Sequence, residues 1–283
     1  MIGSRKNSFI LVTLVYLIAT AVGVLTYLLL GGLPTWARLL IADSVATVVT
    51  FVFSVAFKNA SVYDPYWSVA PIVIVYAFLF STQVTAAKLL IVIAISVWGV
   101  RLTANWAYTF HGLTHQDWRY TMLKEKTGAL YPFVNFFGIH LVPTLIVYAC
   151  MLPAVYLLEG APTVNVGTVI FFILALGSAI LQGIADCQMH AFRKKGTGGF
   201  IRDGVWKYSR HPNYFGEIGM WWSVALCAVC SLGFSWAYVL GAAANTCLFL
   251  FISIPMADAR QARKEGFAEY KKQTRMLFPI YKK

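Results

Sequence analysis

Charged residues are scarce in this chain, making up 12% of its 283 residues, with 11 acidic side chains against 23 lysines and arginines. A soluble domain normally carries about twice that share, so a water-soluble globule is excluded. Cysteines are few. Cys150, Cys187, Cys227, Cys230 and Cys247 all fall inside apolar stretches, so they read as small buried hydrophobes with no disulfide framework. Metal-ligand spacing is lacking as well: His111, His115, His140, His190 and His211 form no HExxH or comparable pattern. Cys227-Ala228-Val229-Cys230 is a CxxC by letter only, in an apolar helix with no second ligand pair nearby. No repeat period, low-complexity segment or soluble second domain is visible. No short cleavable signal stands out either, because the first apolar run is long enough to span and lacks a small-residue cleavage site. It reads as a permanent anchor.

What the chain has in abundance is apolar sequence, at 59%. Runs near the ~20 residues that a spanning helix needs occupy 9–30, 39–57, 66–81, 86–110, 133–158, 167–192, 212–231 and 234–255. The expected fold is therefore all-α, a multi-pass transmembrane bundle of about seven to eight spans, the run 66–81 being short enough to be tilted or partial. Gly31-Gly32-Leu33-Pro34, Ser81-Thr82-Gln83 and Leu232-Gly233 mark tight joints. One integral-membrane domain over 1–283 is expected, with an N-terminal helical hairpin at 1–58 and a core at 59–283.

The formal charge of +12 is first a topology signal, and nucleic acid is not an expected partner. Arg5, Lys6, Lys58, Arg119, Lys124, Lys126, Arg193, Lys194, Lys195, Arg202, Lys207, Arg210 and the basic residues from Arg260 to Lys283 fall in the termini or even-numbered joints. With eight spans, the positive-inside rule places both termini and every basic loop in the cytoplasm. Chemistry is expected on that side.

Four ionisable groups, Asp43, Arg101, Asp186 and Glu217, lie within or at the ends of spans, where an unpaired charge costs a few kcal/mol. Asp43 sits one turn from Arg38, and mutual pairing is the expected explanation. Arg101 faces either a buried carboxylate or a bound anion. Asp186, Met189 and Arg193 share one helix face. That face would suit an adenosine ribose and a phosphate, or an internal Asp-to-Arg tether. Gly196-Thr197-Gly198-Gly199 lacks the strand-before, helix-after setting of a dinucleotide fingerprint, which excludes a Rossmann fold. In Tyr208-Ser209-Arg210-His211-Pro212-Asn213-Tyr214-Phe215-Gly216-Glu217, Pro212 fits the first turn of a helix. Asn213 and Glu217 then share a face, offering amide and carboxylate hydrogen bonds to a partner such as a nicotinamide carboxamide, although a Glu in the first turns also complements the helix dipole.

This last stretch resembles the C-terminal signature of the steroid 5α-reductase superfamily of membrane enzymes, particularly its bacterial branch. The likeness extends to Asp186 through Arg193, to Trp98-Gly99-Val100-Arg101-Leu102, to Asp117-Trp118-Arg119-Tyr120 and to the tail from Tyr270 to Pro279, roughly the last two-thirds of the chain. The resemblance implies NADPH as cofactor and reduction of a carbon–carbon double bond conjugated to a ketone, with 3-oxo-Δ4-steroids as the leading substrate class. It assigns the nicotinamide to Asn213 and Glu217 with Tyr214 near it, the adenosine side to Asp186 and the 2′-phosphate to Arg193. Tyr208, Arg101, Arg119, Arg260 and Arg263 would complete an anion cage. It also implies an acid that polarises the carbonyl, matched here by Asp64 in Val62-Tyr63-Asp64-Pro65-Tyr66-Trp67. The steroid enzymes have a longer acid there, and a tyrosine where this chain offers Trp98. An indole N–H donates a hydrogen bond but supplies no proton. Proton delivery then falls to Asp64, Tyr63 or water.

The partners expected on this reading are an apolar small molecule entering from the bilayer and membrane lipids, with no obligate protein partner. The expected location is a bacterial inner membrane, or the endoplasmic reticulum of a eukaryote. Two rivals stand beside it. An S-adenosylmethionine-dependent methyltransferase acting on a lipid or prenylated cysteine shares the Arg-His-Pro element, and a small-molecule transporter would show broken helices in two related halves.

Overall fold

The computed structural model describes residues 4–196 and 198–281; Thr197 of the glycine stretch and the last two lysines of the basic tail lie outside the described residues. A bilayer offers no water to the backbone, so each span must satisfy its own peptide groups as helix. The chain does this in α1 (Arg5–Leu29), α2 (Thr35–Ala56), α3 (Tyr66–Phe80), α4 (Ala86–Thr109), α5 (Trp118–Thr127), α6 (Tyr131–Phe133), α7 (Val142–Glu159), α8 (Val166–Lys194), α9 (Pro212–Leu232), α10 (Trp236–Leu248), α11 (Ile254–Gln261) and α12 (Phe267–Gln273). Among the described residues there is no strand, only an isolated parallel bridge between Ser209 and Arg275. Among the described residues, eight helical segments are long and apolar enough to cross a membrane. The fold is an all-α multi-pass bundle.

Side chains fix where the spans begin. The first free N–H groups of α1, α4 and α8 are taken by Ser4, Thr85 and Asn165, the last in a reciprocal capping box with Thr168. Two spans are longer than the hydropathy runs. The fifth is continuous from Trp118 to Glu159, and the eighth reaches Gln261. Each contains a π-helical stretch, Val134–Leu141 and Phe249–Ser253, followed closely by Pro143 and Pro255, which have no N–H to donate to the turn before them. The short third run is α3 preceded by a single turn at Ala60–Tyr63.

The core runs along α3, α4, α7, α8 and α9, where Ile95, Trp98, Met151, Leu158, Met220 and Trp221 are almost completely buried. Without a hydrophobic effect between lipid-immersed helices, close backbone approach supplies much of the attraction. At Gly241 in α10, a Cβ would collide with the backbone of Ala149 in α7. The α1–α2 hairpin meets the rest through Phe9 against Trp106 and Phe110, Tyr16 against Tyr66, and a Thr47–Thr144 hydroxyl contact of 2.9 Å.

Two expectations change. Asp43 does not pair with Arg38: its Oδ1 accepts from the Tyr66 hydroxyl at 2.7 Å, while Arg38 donates to the Tyr27 carbonyl and lies over the Tyr27 ring. The helix phase turns the two charges toward different neighbours. Cys187 and Cys247, expected to be buried, are exposed on the outside of the bundle.

Candidate active site

The ends of α4, α8 and α11, the start of α9 and the tail converge around a cavity of about 830 Å³ at the end of the bundle where the basic loops gather. Its walls carry Asn105 and Trp106 of α4, Asp186, His190 and Arg193 of α8, Asn213 and Tyr214 of α9, and Arg260 of α11. Gly198 and Gly199, both at positive φ near 70°, form part of the rim.

The Arg-His-Pro turn is a fastening. Arg210 and His211 are both more than nine-tenths buried, and each meets the carboxylate of Asp258 in α11 at 3.0 Å. Arg210 also donates to the Thr274 carbonyl at 2.8 Å, its own N–H to the Arg275 carbonyl at 2.9 Å, and Ser209 Oγ to the Leu277 carbonyl at 2.7 Å. A buried carboxylate held by an arginine and a histidine, and a string of tail carbonyls satisfied by one motif, explain why these polar groups can leave water. His211 then stacks on Tyr214, ring centroids 5.2 Å apart, and so sets the side of α9 that faces the cavity.

One turn further into the bundle the intramembrane charges meet one another. Arg101 pairs with Asp186 at 2.7 Å and also donates to Gln182. Glu217 is buried, accepting from Trp98 Nε1 and Trp221 Nε1, each at 2.8 Å. Gly216 beside it is required by contact: a Cβ would lie 2.7 Å from the Ser178 carbonyl oxygen of α8. Arg101 Nε is a buried donor without an acceptor among the described residues.

Across the cavity, segments more than fifty residues apart in sequence are stitched together. Asn59 donates to the Leu113 and His115 carbonyls, Gln116 accepts from the Ala60 N–H, and the Asp117 N–H reaches Ser61 Oγ. This places Asp64 on the cavity wall, where its Oδ1 accepts from the Tyr120 hydroxyl at 2.5 Å. Partial burial pushes the Asp117 carboxyl up, but Arg119, 2.8 Å away, more than reverses this and leaves it below its ordinary value.

Of the residues singled out from sequence, Asp64, Asp186, Arg193, Asn213, Tyr214 and Arg260 line the cavity. Tyr63 lies behind it, hydrogen-bonded to Thr144 at 2.8 Å. Trp98, Arg101 and Glu217 form the inner polar cluster, Arg119 backs Asp117, and Tyr208 and Arg263 are exposed outside the lining. Sequence reading missed Tyr120, Asp258 and Lys264. Tyr120 stands in the Asp117-Trp118-Arg119-Tyr120 cluster, and Asp258 is the acid that ends an apolar run opposite a basic motif. Lys264 lines the cavity, and burial followed by the nearby charges of Arg260 and Arg193 lowers its pKa.

No curated protein and no solved structure matches the chain. The model of the family described as protein of unknown function DUF1295 matches residues 50–274. That match runs from within α2 through α12 and takes in all the residues of the cavity wall named above, so this multi-pass helical chain belongs to the DUF1295 family.

Proposed function

We propose that the chain is an NADPH-dependent oxidoreductase that reduces the carbon–carbon double bond of an apolar enone, with 3-oxo-Δ4-steroids as the leading substrate class. The observation that carries this reading is the chemistry of the cavity wall. Arg193, Arg260 and Lys264 line it beside Gly198 and Gly199, and none of the three makes an ion pair among the described residues. The neighbouring acids Asp117, Asp186 and Asp258 are each already engaged by an arginine. Cations free of ion pairs next to exposed glycine backbone suit phosphate groups, Lys264 already donating to the Gly199 carbonyl at 2.5 Å and Arg260 lying over the Trp118 ring, and about 830 Å³ lies in the range of small-molecule and cofactor sites. The likeness of the Asn213-to-Glu217 element to the steroid 5α-reductase superfamily supports the same reading.

The residues that would hold NADPH are Arg193, Arg260 and Lys264 at its phosphates, Asp186 on the adenosine side, and Asn213 and Tyr214 near the nicotinamide. Glu217 is not part of the lining: each of its oxygens accepts one indole N–H one turn deeper, which holds Trp98 and Trp221 behind the proposed nicotinamide end. The unpartnered Arg101 Nε, one turn below the lining, is a donor of the kind a carbonyl oxygen satisfies. Bound NADPH would supply the hydride. An enone oxygen gains negative charge as its β-carbon is reduced, so a donor beside that oxygen lowers the barrier. Tyr120 occupies Oδ1 of Asp64, which leaves Oδ2 to carry a proton toward the carbonyl. Tyr120 also has the ionisable hydroxyl that Trp98 lacks, and the Trp98 N–H is committed to Glu217.

The test is a titration of detergent-purified protein followed by tryptophan fluorescence. Saturable NADPH binding is expected, weakened about tenfold or more in Arg193→Gln and Lys264→Gln and unchanged in Asp64→Asn. Tighter binding of S-adenosylmethionine than of NADPH would overturn the reading in favour of a methyltransferase.

A further inference from the structure

A second cavity, of about 320 Å³, lies between α1, α2 and α3 and shares no lining residue with the large one. Its wall is apolar apart from Asp43, the Tyr16, Tyr27 and Tyr66 hydroxyls, Thr20 and Ser81. Val24 and Leu28 of α1 line it and are exposed on the outside of the bundle, at the level a spanning helix presents to lipid. The Tyr16 hydroxyl is turned away, donating to the Val62 carbonyl at 2.7 Å.

Asp43 is the unusual member. A carboxylate at this depth is expensive and normally meets a cation, a polar network or a ligand. Among the described residues no lysine, arginine or histidine lies within ion-pairing distance of it. The Tyr66 hydroxyl supplies a hydrogen bond to Oδ1, and its donor capacity is spent there, whereas a carboxylate can accept about four. A largely apolar cavity with one carboxylate short of donors is complementary to an apolar molecule that ends in a donor, and a head that is an acceptor alone, set against that carboxylate, is disfavoured.

We infer that this cavity is a lipid site whose occupant is a membrane-soluble molecule with a single hydrogen-bond-donating head, a hydroxyl or a protonated amine, seated on Asp43. The chain thus has two ligand sites of opposite character: a cationic one at the end of the bundle, and an anionic, lipid-accessible one beside its N-terminal hairpin. Occupancy of the second would tie α1 and α2 to α3, because all three contribute to its wall.

Three photoactivatable probes decide the matter: a long-chain alcohol carrying a diazirine, its methyl ether, and the corresponding primary amine. Each is added to purified protein in mixed micelles, and labelled peptides are mapped by mass spectrometry. The alcohol or the amine should label α1, α2 and α3 saturably, and the ether, which has lost its donor, should compete about tenfold less well or worse. The better competitor of the two identifies the head. In Asp43→Val the advantage of the donor probes over the ether should vanish. Ala77→Phe, which fills the cavity without touching Asp43, should reduce labelling by all three, and it decides the question if Asp43→Val does not fold. Equal labelling by ether and alcohol in the wild-type protein, labels outside α1–α3, or labelling indifferent to Ala77→Phe would each overturn the inference.

Discussion

Asp258 is the carboxylate that Arg210, His211 and Lys271 share, at 3.0, 3.0 and 3.6 Å. Replacing it with alanine leaves the guanidinium of Arg210, 7% exposed, without a counter-charge. Removing one partner of a buried pair costs about 3–5 kcal/mol, most of it the penalty of the stranded charge. Arg210 keeps its hydrogen bond to the Thr274 carbonyl, so the lower end of that range, about 3 kcal/mol, is expected. The loss should be local at first, since the same motif holds the tail carbonyls of Thr274, Arg275 and Leu277. The assay is reversible unfolding in mixed micelles, paired with limited proteolysis of the segment 262–281. Asp258→Ala should lower stability by about 3 kcal/mol and open that segment to cleavage well before the spans unfold. The double variant Arg210→Met, Asp258→Leu should be clearly more stable than the sum of its single changes, because no charge is left stranded. A cost below about 1 kcal/mol, or strict additivity in the double variant, would refute the reasoning.

Trp98→Phe removes the N–H that reaches Glu217 and shrinks a fully buried ring; hydrogen bonds to charged groups contribute about 1.5–3 kcal/mol, and a loss of at least that order is expected in the same unfolding assay. Gly216→Ala places a methyl against the Ser178 carbonyl and should cost about 1–3 kcal/mol, whereas Gly177→Ala, which faces open space, should be neutral within about 0.5 kcal/mol. A pH series from about 6 down to 3 tests Asp117. Its pKa is lowered on folding, so its contribution is complete above the ordinary carboxylate value and is lost as pH falls through the lowered one; Arg119→Gln should reduce the slope of that acid limb.

How much of this could be read in the sequence depends on the range of the interaction concerned. The spans were legible because the bilayer imposes a run length that apolar residues alone report. Their ends drifted where π turns before Pro143 and Pro255 carried helix into polar sequence. The clustering of Asp186 with Arg193 followed from helical spacing, which is local. The partners of the buried charges did not. Arg38 and Asp43 are one turn apart yet face different neighbours, and Arg101 meets Asp186 across 85 residues of chain. Asp64 and Tyr120 meet only because Asn59, Ser61 and Gln116 stitch two loops together. The Arg-His-Pro motif drew attention as a signature, but its partner Asp258 lies 48 residues away on another helix and is found only in three dimensions.

The proposed function requires Asp64 to serve an NADPH-dependent reduction in the large cavity. The direct measurement incubates purified protein with NADPH and progesterone and follows nicotinamide absorbance and product mass together. Stoichiometric NADPH oxidation with a product heavier by two hydrogens, slowed strongly in Asp64→Asn while NADPH affinity is retained, is the predicted result. A reduced product formed equally fast by Asp64→Asn, or no saturable NADPH binding and no turnover at all, would contradict it.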